Sequence, residues 1–138
     1  MSRLADTEPT GMQKKTVMIC DDEPDILTIY SNFLKRKYTI ITANSGQTCI
    51  EKYKDNRLKG KKIDVLLVDY RLGDMLGDAV ACQIRDLDST KSLLITAYDL
   101  DEKLLDDIKS KGCIVGQLKK PLSLVSLGEN IDSLMAQS

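Results

Sequence analysis

Histidine is absent from the 138-residue chain. That absence removes Ser-His and Cys-His nucleophile pairs, His-ligated zinc, and any phosphohistidine formed within this chain. No stretch approaches the roughly 20 apolar residues that a membrane span requires. Residues Met1 to Thr10 lack the apolar core of a signal peptide. The reading is therefore a cytoplasmic protein without membrane insertion. An excess of charge is missing too. Twenty basic against 21 acidic residues leave a formal net charge of −1, so nothing attracts nucleic acid in bulk. The four cysteines, at 20, 49, 82 and 113, include no C-x-x-C pair. Each lies beside or within an apolar run, which reads as a buried free thiol. Metal ligation, disulfides and a thiol switch are the minor alternatives.

What is present is a chain of ordinary globular composition, 42% hydrophobic and 30% charged. Its length suits one domain with a core that needs no staples. Residues 1–14 are polar, carry Pro9 and Gly11, and read as a flexible tail. Residues 15–138 therefore read as the single folded domain. Val17 to Cys20 is a short apolar run of strand length. Pro24 suits a first helical turn, and Ile26, Leu27, Tyr30, Phe33 and Leu34 recur at helical spacing. Tyr38 to Thr42 is rich in β-formers. Ser45 can cap a helix carrying Cys49, Ile50 and Tyr53. Ile63 to Val68 is apolar enough for a strand covered on both faces. Gly73 and Gly77 mark a loop, and Val80, Ile84 and Leu87 a helix. Leu93 to Ile95 predicts a fourth strand. Leu100, Leu104, Leu105 and Ile108 predict a fourth helix closed by Lys111-Gly112. Cys113 to Leu118 predicts a fifth strand. Ser123 caps a last helix with Leu124, Leu127, Ile131, Leu134 and Met135.

Five alternating strands and helices imply an α/β fold, a parallel sheet with helices on both faces. Right-handed crossovers favour a doubly wound, flavodoxin-like order of 2-1-3-4-5. Ligands in such sheets bind beyond the carboxyl ends of the strands, at the switch point between strands 1 and 3. Strand 1 ends in Asp21-Asp22-Glu23 and strand 3 in Asp69, so the three carboxylates of Asp21, Asp22 and Asp69 should converge. Crowded carboxylates repel, and a divalent cation ligated by oxygen, Mg²⁺ above all, relieves them. Strand 4 ends in Thr96-Ala97 and strand 5 in Lys119-Lys120-Pro121. A metal, a hydroxyl and an ammonium around one carboxylate suit phosphoryl transfer, with that carboxylate as nucleophile. Taken singly, Asp21-Asp22-Glu23 could only cap a helix, Thr96 could be a loop hydroxyl, and Lys119-Lys120 a solvated pair.

The set Ile19-Cys-Asp-Asp-Glu23, Val65-Leu-Leu-Val-Asp69, Leu94-Ile-Thr-Ala97 and Lys120-Pro121 resembles the response-regulator receiver family of two-component signalling. The resemblance runs from about Thr16 to the last helix. It implies that Asp69 accepts a phosphoryl group from a partner histidine kinase or histidine phosphotransfer protein. It implies Mg²⁺ held by Asp21, Asp22, Asp69 and the backbone carbonyl of Arg71. Thr96 and Lys120 would each meet a phosphoryl oxygen, and the Lys120-Pro121 bond would be cis. The domain would be a switch, catalysing only its own phosphorylation and dephosphorylation. Its signal would pass to a downstream effector protein through the face of helix 4, strand 5 and helix 5. A phosphorylation-dependent homodimer is among the expected outputs. The chain reads as a stand-alone receiver, with excision from a hybrid kinase or a DNA-binding regulator as the alternative.

The sequence departs from the family pattern in three places. Gln117 stands where an aromatic residue usually precedes the lysine by three positions. Tyr98 is an aromatic at the same edge that could take a related role. The loop after Asp69 lacks its usual proline, which predicts a looser loop. Arg71 and Tyr98, each two residues beyond a site residue, are large and predict a shielded, long-lived acyl phosphate. A receiver that only binds partners would need a lost acid, and all are present. A hydrolase of the haloacid dehalogenase type would need an acid where Arg71 stands.

Overall fold

A computed structural model describes residues 14–137. The expected flexible tail lies, Lys14 aside, outside the described residues. The elements in chain order are β1 (Thr16–Cys20), α1 (Pro24–Leu34), β2 (Thr39–Ala43), α2 (Gly46–Leu58), β3 (Val65–Asp69), α3 (Gly77–Arg85), β4 (Lys91–Thr96), α4 (Glu102–Ser110), β5 (Gly116–Lys119) and α5 (Leu124–Ala136). The five strands are parallel and lie in the order β2-β1-β3-β4-β5. This is the expected 2-1-3-4-5 sheet.

Period-2 alternation divides the core in two. Met18, Cys20, Leu66, Val68 and Leu94 face one side, under Cys49, Ile50 and Tyr53 of α2, Val80 and Ile84 of α3, and Ile108 of α4. Val17, Ile19, Val65, Leu67, Leu93 and Ile95 face the other, under Tyr30 and Leu34 of α1 and Leu127, Ile131 and Met135 of α5. All five residues of β3 are buried, as a strand covered on both faces requires.

Local chemistry sets the helix starts. Pro24 occupies the first turn of α1. Ser45 Oγ accepts from Thr48 N at 3.1 Å and Ser123 Oγ from Ser126 N at 3.0 Å, as expected of both caps. Asp101 caps α4 by accepting from Leu104 N at 2.8 Å. That cap opens α4 after Leu100, which packs on the core from outside the helix.

Three expectations need correction. The fifth strand begins at Gly116, not at Cys113. Gly112 turns the chain with φ of +69°, and pairing with β4 starts only at Leu93 opposite Gly116. The cysteines are not four free thiols. Cys20 and Cys49 are free and buried, but Cys82 and Cys113 form a disulfide with Cα atoms 5.0 Å apart. Their 31-residue separation hid the pair, because only the packing of α3 against the α4–β5 loop brings them together.

The third correction concerns the loop after Asp69, which is tethered rather than loose. Arg71 and Leu76 form an antiparallel bridge, and Gly77 N donates to Tyr70 O at 2.7 Å. Asp74 reaches across to α2, accepting from Gly46 N and Gln47 N, each at 2.9 Å. The hydrogen bonds from Gln47 and Gly46 hold the Asp74 carboxyl below its ordinary range. An anion at a helix N-terminus thus does the work expected of a proline.

Candidate functional site

Strand register explains why the acids meet. Cys20 of β1 lies opposite Val68 of β3, so Asp21 and Asp69, one residue further on, emerge side by side. Asp69 in turn lies opposite Ile95 of β4, one residue before Thr96. Thr96 lies opposite Lys119, and Lys120 N donates to Thr96 O at 2.9 Å. Four strand ends therefore open onto one spot, the position the topology dictates. A cavity of about 510 Å³ lies at the opposite edge of the sheet, lined by Tyr53, Arg57 and Thr90 among others. It contains none of the expected site residues.

Carboxylate oxygens of Asp21, Asp22, Glu23 and Asp69 all lie within 4.8 Å of one another. Asp21 and Asp69 are buried, while Asp22 and Glu23 are exposed. Such a set of hard oxygen donors fits Mg²⁺, a cation that keeps several waters and takes few carboxylates. Glu23 is the member that the sequence reading assigned no role. Its only signal was adjacency to Asp22. Glu23 also occupies the N-cap of α1, but its side chain makes no cap bond. Instead Asp21 Oδ1 accepts from Glu23 N at 2.9 Å. That bond fixes the turn between β1 and α1, and α1 starts without a side-chain cap.

Lys120 enters from the far side of the sheet. The Lys120-Pro121 peptide is cis, as expected. Its ammonium lies 2.8 Å from Asp21, 3.4 Å from Glu23 and 3.7 Å from Asp69. Burial works against its charge, but the hydrogen bond to Asp21 and the charges of Asp21, Asp69 and Glu23 outweigh it and raise its pKa. Lys119 points away and pairs with Asp99. Asp69 is pushed up to about 6, first by burial and then by Asp21, with Lys120 opposing. A buried acid held among acids awaits a cation or a polar group to complete it. Tyr30 of α1, buried beneath the acids, has a hydroxyl pKa raised by burial. Sequence reading had assigned Tyr30 to the core alone.

Thr96 is buried, and its hydroxyl accepts from Tyr98 N at 3.0 Å. The Arg71 guanidinium stacks over the Tyr98 ring, 4.3 Å from its centroid. The two large residues singled out in the sequence therefore touch, joining the loops after β3 and β4. Gln117 lines a cavity of about 210 Å³ with Thr96, Tyr98 and Leu118. Its Oε1 is buried without a hydrogen-bond partner. The structure thus leaves an unpaired acceptor where the family usually places an aromatic ring.

The family model of the response regulator receiver domain matches residues 17–132. The chain belongs to the response regulator receiver domain family. Its backbone superposes on chemotaxis protein CheY4 of Vibrio cholerae with a TM-score of 0.78 at 21% identity, covering 88% of this chain and 99% of that one. A CheY-like receiver domain protein from Methanospirillum hungatei JF-1 gives 0.78 at 20%, covering 91% and 100%. A two-component response regulator from Clostridium difficile gives 0.76 at 22%, covering 89% and 97%. These likenesses carry the fold. Receiver domains are phosphoacceptor signalling switches rather than enzymes in the usual sense. They bind Mg²⁺ at an acidic pocket and interact with histidine kinases and effectors. No helix among the described residues is long and apolar enough to cross a membrane.

Proposed function

We propose that this receiver takes a phosphoryl group onto Asp69 from a phosphohistidine on a partner kinase or phosphotransfer protein. A carboxylate oxygen of Asp69 attacks phosphorus. The bond from phosphorus to the imidazole nitrogen breaks, and the imidazole leaves on the partner with the electron pair. In this reading Asp21, Asp22, Asp69 and the Arg71 carbonyl hold Mg²⁺, with Glu23 beside them. The ion supplies positive charge to the phosphoryl oxygens in flight. Lys120 neutralises the acids at rest and turns to a phosphoryl oxygen once the acyl phosphate forms. Thr96 exchanges its bond from Tyr98 N for another oxygen. Movement of Thr96 then disturbs Tyr98 and the loop that leads to α4.

The observation that carries this reading is the Lys120 ammonium, 2.8 Å from Asp21 and 3.7 Å from Asp69, closing a ring of acids from two other strand ends. A receiver that only bound partners would have no need to bury Asp69 among like charges. The output is relayed to another protein, by contact or by homodimerisation, in the cytoplasm. The test is incubation with acetyl phosphate and Mg²⁺, or with beryllofluoride. Intact-mass or ¹⁹F spectra should show one adduct at Asp69 and none in Asp69→Asn. Label retained by Asp69→Asn would refute the assignment.

A further inference from the structure

Lys111, Gly112 and Cys113 close α4 and lead towards β5, and all three are fastened to one face of α3. Lys111 Nζ donates to Asp78 Oδ2 at 2.9 Å. The Arg85 guanidinium donates to the Gly112 carbonyl. Cys113 is bonded to Cys82. Asp78, Cys82 and Arg85 stand at i, i+4 and i+7, a single stripe of the helix. The polar ties are unequal to holding the loop alone. Lys111 and Arg85 are exposed, which weakens both contacts. Asp78 is buried and its second oxygen, Oδ1, has no partner. The sulfur bridge is the one covalent fastening between the described loop and α3.

We propose that Cys82 and Cys113 are a redox site, a dithiol that exchanges with low-molecular-weight disulfides of the glutathione class and, when bonded, clamps the α4–β5 loop to α3. One thiolate attacks a sulfur of the oxidant R–S–S–R and expels R–S⁻, leaving a mixed disulfide on the protein. The second thiolate attacks the protein sulfur of that mixed disulfide and expels the second R–S⁻. Two protein thiols are oxidised, and one oxidant is reduced to two R–SH. Reduction by two R–SH reverses both steps.

Selectivity follows from burial. Cys82 and Cys113 are only half-buried, whereas Cys20 and Cys49 are 1% and 0% exposed. Arg85 donates to the Gly112 carbonyl beside Cys113, which keeps one cation near the pair, while Lys111 is matched by Asp78. In a reducing compartment such bridges form transiently and act as sensors. The clamp holds α4 at its carboxyl end and the approach to β5, which carries Gln117 and runs to Lys120. Its bearing on signalling rests on the phosphoacceptor reading; its chemistry does not.

The experiment uses the whole unphosphorylated chain, equilibrated in buffers of graded reduced-to-oxidised glutathione. Free thiols are alkylated and located by peptide mass, and hydrogen exchange is followed in parallel. Reduction by millimolar glutathione should expose Cys82 and Cys113 together and leave Cys20 and Cys49 unreacted. Amides from about 109 to 116 should then exchange roughly tenfold faster than in the oxidised protein. Cys82→Ser and Cys113→Ser should each show the faster exchange in every buffer, and either suffices if the other fails to fold. A bridge that millimolar glutathione cannot open is a structural staple and overturns the proposal. So does a pair that never oxidises, or a loop whose exchange is the same in both states.

Discussion

Lys120 donates to Asp21 at 2.8 Å across a sequence separation of 99 residues. The two side chains are 10% and 4% exposed, so this is a buried pair and not a surface ornament. Removing the cation would strand Asp21 and Asp69 together without compensation, and breaking such a pair commonly costs several kcal/mol. Lys120→Met should therefore lower stability at neutral pH by about 2 to 4 kcal/mol. Mg²⁺ should return part of the loss, because it binds the folded acids and not the unfolded chain. Urea titrations with and without MgCl₂ read both effects. A variant as stable as the parent and indifferent to Mg²⁺ would mean that the acids do not depend on Lys120.

Asp69 carries a signature in pH. Its folded pKa is pushed from 3.8 to about 6, by burial first and Asp21 second. Between those values the folded chain holds more protons at this site than the unfolded chain. The Asp69 contribution to stability therefore falls as pH rises through that window and is flat above it. Asp69→Asn removes this penalty and should stabilise the fold at pH 7 by about 1 to 2 kcal/mol, discounted for residual hydration. The comparison is the difference between parent and variant urea midpoints from pH 4 to pH 8. A difference that does not grow between pH 4 and pH 6 would show that Asp69 is not held among charges in this way.

The Arg71–Tyr98 stack, at 4.3 Å, joins the residues two beyond Asp69 and two beyond Thr96, and is expected to hinder the approach of water to an acyl phosphate on Asp69. Tyr98 is 50% exposed, so the ring lies at the surface rather than in the core. Tyr98→Ala and Arg71→Ala should each speed the loss of label from phosphorylated protein, by about threefold to tenfold, equivalent to 1.4 kcal/mol or less. Because the two side chains stack on one another, the double variant should be little faster than either single. Label decay followed by intact mass decides the matter. Rates that multiply in the double variant would indicate two independent effects.

Much of the fold and of the site is legible in the sequence. The acids were readable because each follows an apolar run, and parallel topology sends the ends of such runs to one edge. β1, β3 and β4 were evident for the same reason. β5 was expected too, but its start was misplaced, because the apolar Cys113-Ile-Val115 precedes the part-buried Gly116–Lys119 that pairs. What escaped notice depended on contacts between elements. The Asp74 cap of α2 spans 28 residues and the Cys82–Cys113 bridge 31, and neither has a local pattern. Glu23 was visible but had no marker beyond its neighbours. Tyr98 was picked out as an aromatic at the right edge, yet its stacking on Arg71 came only from two loops meeting.

Gly77 shows how closely the fold is drawn around the acceptor. A Cβ at this position would lie 2.2 Å from the carbonyl oxygen of Asp69 and 2.9 Å from its carbonyl carbon. The obstacle is backbone, not a flexible side chain, so it cannot swing aside. α3 starts here because its first turn must press against the end of β3, with Gly77 N donating to Tyr70 O at 2.7 Å. Gly77→Ala must push either α3 away from the sheet or Asp69 away from Asp21. The expected cost is about 1 to 3 kcal/mol, the usual range for overpacking. The more telling effect is on chemistry. Affinity for beryllofluoride with Mg²⁺, read by ¹⁹F spectra on protein shown to be folded by circular dichroism, should fall by about tenfold, or 1.4 kcal/mol. A Gly77→Ala protein that folds and captures beryllofluoride as well as the parent would show that the contact between α3 and β3 does not position Asp69.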